Sequence, residues 1–150
     1  MRDRLNTALK TAMKDKEQTR VCTLRLILAA LNEREIAARG GDDPAELDDP
    51  ATLEVLAKMV KQREESARAY DAGARPELAA QERAEIKIIR EFMPKPMPPE
   101  EVKAAVEDAI RESEARSIKD MGKVMGVLKA RHAGRMDFGK VGATVREALA

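Results

Sequence analysis

The chain has 150 residues, 37% of them charged and only 2% aromatic, with a formal net charge of +1. Abundant Ala, Glu, Lys, Arg and Leu, with few β-branched or aromatic runs, point to helices and exclude a sheet-rich fold. A single cysteine excludes an intramolecular disulfide, and no apolar run reaches membrane-spanning length or resembles a signal peptide, so a soluble cytoplasmic protein is expected.

Arg2 to Lys14 carries Leu5, Ala8, Leu9, Ala12 and Met13 at spacings of three and four, one face of an amphipathic helix. The run Lys14-Asp15-Lys16-Glu17 breaks it. A longer helix to about Ala38 follows, with Val21, Leu24, Ile27, Leu28, Leu31 and Ile36 inward. Gly40-Gly41 stops that helix, and Asp42 to Asp49 is an acidic connection with a short turn around Pro44–Leu47. Asp49-Pro50 reads as a capping aspartate followed by proline at the first helical position. The helix it opens runs through Leu53, Leu56, Met59, Val60, Arg63 and Ala67 to Tyr70 and is ended by Gly73. Pro76 opens the next, carried by Leu78, Ala79, Ile86, Ile89 and Phe92 and interrupted near Glu82.

Four helices with short connections predict an antiparallel helical bundle over residues 1–93. The proline-rich run 94–99 forbids helix and is read as a semi-rigid linker. Residues 100–150 form a small three-helix domain. Its first helix, Glu100–Glu114, turns Val102, Val106, Ala109 and Ile110 inward. Its second starts at Ser117, where Ser117 and Asp120 suggest a weak capping box. Gly134 occupies a left-handed position after that helix, and Asp137 caps the third. The fold expected is therefore all-α.

Charge is unevenly placed. Residues 1–40 carry nine basic and five acidic groups, residues 41–114 eleven and nineteen, and residues 115–150 eight and three. A basic end beside an acidic middle can steer an anionic partner if the fold gathers the cations.

Catalytic chemistry finds little support. The one histidine, His132, lies among arginines, which disfavours an imidazolium paired with an acid. Cys22 lies next to Val21 on a core-forming helix and reads as a buried or half-buried apolar side chain. One His and one Cys cannot build a zinc site, and the aspartate pairs lack calcium-loop spacing. There is no phosphate-loop or dinucleotide motif, so no catalytic residue, metal or cofactor is assigned.

Between Ile118 and Leu128 the apolar set Ile118, Met121, Val124, Met125 and Leu128 shares a face, with Arg116, Lys119 and Lys123 roughly opposite. Gly122 and Gly126 are read at the seam. Each glycine costs about 1 kcal/mol in a helix interior, so both need a reason. Close packing of a neighbouring helix is the preferred one, and approach of a nucleic-acid backbone the alternative. Lys129, Arg131, His132 and Arg135 gather at the following turn, and Lys140 lies one turn into the last helix. With Lys119 and Lys123 they are the candidate phosphate contacts. Few aromatics are free for base stacking, and the last helix lacks side chains that read base edges. Folded RNA is thus favoured and DNA is not expected.

These residues resemble the YqeY family. Ile118-Lys-Asp-Met-Gly-Lys-Val-Met-Gly followed by Gly134-Arg, the helix Leu24-Arg-Leu-Ile-Leu-Ala-Ala-Leu, Val60-Lys-Gln-Arg-Glu-Glu-Ser, Tyr70-Asp-Ala-Gly-Ala-Arg and Glu85 to Pro94 carry the resemblance across the chain. Pro98 departs from it, standing where the family usually has a Ser or Thr cap. The C-terminal part is similar to the tail domain of GatB, a subunit of glutamine-dependent aspartyl/glutamyl-tRNA amidotransferase. Gly122, Val124, Met125, Gly134 and Arg135 fall on that tail's pattern. The resemblance implies a tRNA-binding accessory protein and a family-level link to carbon–nitrogen ligation with glutamine as amide donor. It supplies no catalytic residues. The alternative is an adaptor for an amidotransferase or an aminoacyl-tRNA synthetase.

Overall fold

The computed structural model describes residues 1–38 and 47–150, and within them every regular element is helical. The expected stop at Gly40-Gly41 and most of the acidic connection lie outside the described residues. The chain divides into two compact units, Met1–Met93 and Pro94–Ala150, each with its own apolar core.

The first unit contains α1 (Arg2–Lys14), α2 (Gln18–Ala38), α3 (Asp49–Ala72) and α4 (Pro76–Arg90). Arg2 at the start of α1 pairs with Glu35 near the end of α2, so these two helices run antiparallel. Arg90 at the end of α4 pairs with Glu64 in α3, and Arg83 near its middle with Asp71 further along α3, which fixes the same sense for the second hairpin. Leu5, Leu24, Ile27, Leu31, Leu56 and Ile89 are at most 2% exposed in the shared core. Each contributes about 1.5–3 kcal/mol through burial.

The inward stripes hold at their centres and fail at their edges. Met13 and Ile36 are 50% and 64% exposed, and Leu78 lies at the surface, so these expected core positions are corrected. Cys22 is also exposed. The helix turns Val21 and the fully buried Thr23 inward instead, and the Thr23 hydroxyl donates to the Thr19 carbonyl at 2.8 Å. Arg63 is half-buried and donates to Glu85 at 3.0 Å, which accounts for a charged residue on the inner stripe of α3.

Local signals set the helix ends, Gly73 closing α3 as expected, with one shift of one residue at its start. The cap of α3 is Asp48, whose carboxylate accepts from the Ala51 N–H at 2.9 Å. Asp49, the expected cap, is the first helical residue. At the other end Gly73 keeps a negative φ of −86°, and the left-handed residue is Ala74, at φ 57°. The Arg75 N–H then reaches back to the Tyr70 carbonyl at 2.8 Å, closing the helix as in a Schellman motif. Lys16 and Glu114 repeat this closure at φ 57° and 52°, so three helices end on left-handed residues other than glycine.

The second unit contains α5 (Pro99–Glu112), a 3₁₀ turn (Ile118–Asp120), α6 (Met121–His132) and α7 (Phe138–Leu149). Val106 and Ala109 of α5, Val124 and Leu128 of α6, and Val141, Val145 and Leu149 of α7 form its core. Proline at 98 provides no side-chain cap, and Pro99 takes the first helical position, where a missing N–H is no loss. The proline run is more than a spacer. The Met97 N–H donates to the Arg135 carbonyl at 2.8 Å, the Arg135 Nε donates to the Lys95 carbonyl at 3.1 Å, and Met97 packs on the core.

Candidate nucleic-acid interface

The region singled out by charge is built on α6 and the turns flanking it. The expected capping box is absent, because Ser117 makes no side-chain cap bond and the first turn is 3₁₀. Asp120 reaches backward instead and accepts from the Arg116 N–H at 3.0 Å. That bond holds its carboxyl below the ordinary carboxylate range against some desolvation, with the Ser117 N–H and the charges of Lys123 and Arg116 acting in the same direction. The carboxylate thereby staples the entry to α6.

Val124 and Leu128 are buried, with Met121, Met125 and Val127 half-buried around them. Ile118, expected on this face, is 50% exposed because the 3₁₀ turn rotates it off the stripe. At 100° per residue the direction opposite Val124 and Leu128 is taken by Gly122 and Gly126. Both are exposed, and a Cβ placed on either would meet no neighbouring atom within 4 Å. The preferred expectation of close packing by a neighbouring helix is therefore corrected. The two glycines sit in the middle of the solvent face, one turn apart, and not at its seam. The buried glycine of this unit is Gly142 in α7, whose Cβ would lie 3.5 Å from the Met121 terminal methyl.

Lys123 flanks this glycine strip on one side and Lys129 on the other, and Lys119 lies in the 3₁₀ turn just ahead of it, all exposed. Among the described residues none of the three forms an ion pair. The result is a helix face with two glycines along its centre and exposed lysines around them. An anionic backbone could lie close to the helix there, with the ammonium groups reaching its phosphates.

The arginines of the turn are engaged differently. Arg131 pairs with Glu112 of α5, and Arg135 lies 3.8 Å from Glu101 while also bonding the Lys95 carbonyl. These bonds tie α6, α5 and the proline run together and neutralise part of the positive charge. His132 is half-buried, and its carbonyl accepts from the Arg135 N–H at 3.0 Å. Ala133 (φ −53°, ψ 130°) and Gly134 (φ 76°) complete a type II turn, whose third residue needs a positive φ. Gly134 thus has the left-handed role expected of it. Asp137 accepts from the Gly139 N–H at 2.9 Å and caps α7, leaving Lys140 exposed in the first turn. Sequence reasoning left Arg146 out, although it is exposed in the last turn of α7 and pairs with no acid among the described residues; its place in a basic segment was the available signal.

Phe92 is 5% exposed, Phe138 packs on the second core, and Tyr70 is half-buried, so no described aromatic offers an open stacking platform. Among the described residues no helix is long and apolar enough to cross a membrane.

The Yqey-like protein family profile matches residues 2–149. Curated relatives include proteins called "Altered inheritance of mitochondria protein 41, mitochondrial". The one from Lachancea thermotolerans is 33% identical over 89 residues, covering 59% of this chain and 46% of that protein. That from Eremothecium gossypii is 35% identical over 89 residues with the same coverage, and that from Saccharomyces cerevisiae YJM789 is 31% identical over 85 residues, 57% of this chain and 44% of its own. The match therefore spans less than half the length of these relatives.

Proposed function

Since the chain belongs to the YqeY family, we propose that it is a tRNA-binding accessory protein that holds folded RNA on the solvent face of α6. One observation carries the reading: Gly122 and Gly126 leave the helix backbone open, between lysines that pair with no acid. Lys119, Lys123 and Lys129 are the primary phosphate contacts, and Lys140 and Arg146 extend the positive field. Arg131 and Arg135 act chiefly as braces that hold the turn, with their remaining N–H donors available to RNA. Recognition is by backbone and shape, since the aromatics are committed to packing. The RNA-holding role fits a step of amide transfer on charged tRNA whose chemistry resides in a partner protein.

A filter-binding titration with unfractionated tRNA at several salt concentrations tests this. Affinity should fall steeply with salt, and replacing Lys119, Lys123 and Lys129 by glutamine should lower the log–log slope by about 2 to 3. Absence of binding at low salt, or an unchanged slope in the folded triple variant, would sink the proposal.

A further inference from the structure

The hairpin of α3 and α4 carries a second concentration of positive charge, in the segment whose overall balance is acidic. An open cleft of about 590 Å³ lies between the two helices, floored by Ala67 and Ile86 and walled by Arg68, Arg83, Lys87 and Arg90. Two ion pairs bridge it like rungs, Arg90 to Glu64 at 2.7 Å and Arg83 to Asp71. In the antiparallel register these pairs define, the positions midway between them are Arg68 on α3 and Lys87 on α4. Both are exposed, both line the cleft, and neither forms an ion pair among the described residues. Glu85, the acid nearest in sequence to Lys87, is taken by Arg63.

The middle rung thus sets two like charges across the groove, where its neighbours set opposite ones. Such a juxtaposition is unfavourable unless something negative lies between the two. The four cations of the cleft are opposed by two carboxylates, leaving a surplus of two charges that a doubly charged anion balances and a single carboxylate does not. The guanidinium fork beside an ammonium suits a tetrahedral oxyanion, and Arg83 and Arg90 keep N–H donors beyond those their acids accept. We infer that this cleft binds a phosphate group, with Arg68 and Lys87 as its principal donors. The site lies in the unit that α6 does not belong to, so it stands or falls independently of the RNA face proposed above.

The test is a titration of the full chain with sodium pyrophosphate at low ionic strength, followed by amide and arginine Nε–H resonances. Saturable shifts are expected at Ala67, Arg68, Ile86 and Lys87. Replacing Arg68 and Lys87 together by glutamine should weaken binding at least tenfold without lowering the melting temperature, because it also removes the repulsion. A second arm adds a short RNA duplex. Displacement of pyrophosphate by RNA, with the same resonances moving, assigns the phosphate to a polynucleotide; unaffected saturation assigns it to a small phosphate compound. No saturable shift in the cleft with either probe, or undiminished affinity in the folded double variant, overturns the inference.

Discussion

Replacing Gly122 and Gly126 by alanine separates stability from binding on one face of one helix. A methyl group at either position meets no neighbour within 4 Å, so nothing in the fold opposes it. At Gly126, inside α6, the change should therefore deliver the full difference in helix propensity, about 1 kcal/mol, and at Gly122, in the first turn, a smaller gain, with no packing penalty to subtract at either. For the pair this is more than about 1 kcal/mol, enough to raise the melting transition of a unit this small by roughly 4 °C or more. Differential scanning calorimetry would show it in the transition assigned to residues 94–150. The same two methyl groups stand where an RNA backbone would lie against the helix, so tRNA affinity should fall about tenfold, a loss of roughly 1.4 kcal/mol. A melting temperature that stays level or drops would refute the claim that these positions face open space. A stabilised variant with undiminished tRNA affinity would refute the claim that the open face is the place of contact.

Three further outcomes follow from the helix ends. Asp48→Ala should destabilise the first unit by about 1 kcal/mol in urea unfolding, whereas Asp49→Ala should cost only a few tenths, because Asp48 makes the cap bond. Glycine at Lys16, Ala74 or Glu114 should stabilise by about 0.5–1 kcal/mol each, since all three hold a positive φ; a loss of stability in the same denaturation assay would contradict that conformation. Asp120, whose folded pKa is lowered from 3.8, stabilises the entry to α6 when ionised, a contribution complete above about pH 4 and lost as pH falls through its folded value. Protection factors at the Arg116 and Met121 amides, taken against the intrinsic exchange rate at each pH, should therefore fall on acidification, and Asp120→Asn should remove that pH dependence.

Much of the helical content was legible because its signals are local. Spacings of three and four placed Leu24, Ile27 and Leu31 inward, and the proline at 76 fixed a helix start by removing an N–H that would have no partner. The errors arose where neighbours in space decide. Two adjacent aspartates at 48 and 49 offer the same cap, and only backbone geometry chooses between them. Gly122 and Gly126 matched a helix-packing pattern, yet α5 and α7 both approach the opposite side of α6. The positions of the basic groups at the candidate site were plain in the sequence. Which of them are already neutralised was not, because Glu101 lies 34 residues before Arg135 and Glu112 lies 19 before Arg131. The like-charge rung of the α3–α4 cleft was hidden for a similar reason: summed along the chain, that segment is acidic.

The anchoring of the proline run by Arg135 has a consequence for how the molecule comes apart. The Lys95 carbonyl and the Met97 N–H are held by the turn between α6 and α7, forty residues away in sequence. A protease cutting just before Glu100 would strip away both bonds, the Met97 side chain from the core and the Pro99 start of α5 in a single event. A cut at Met93–Pro94 would leave all of them intact. The seam of the chain, in the sense of where it can be opened with least damage, lies ahead of the prolines and not within them.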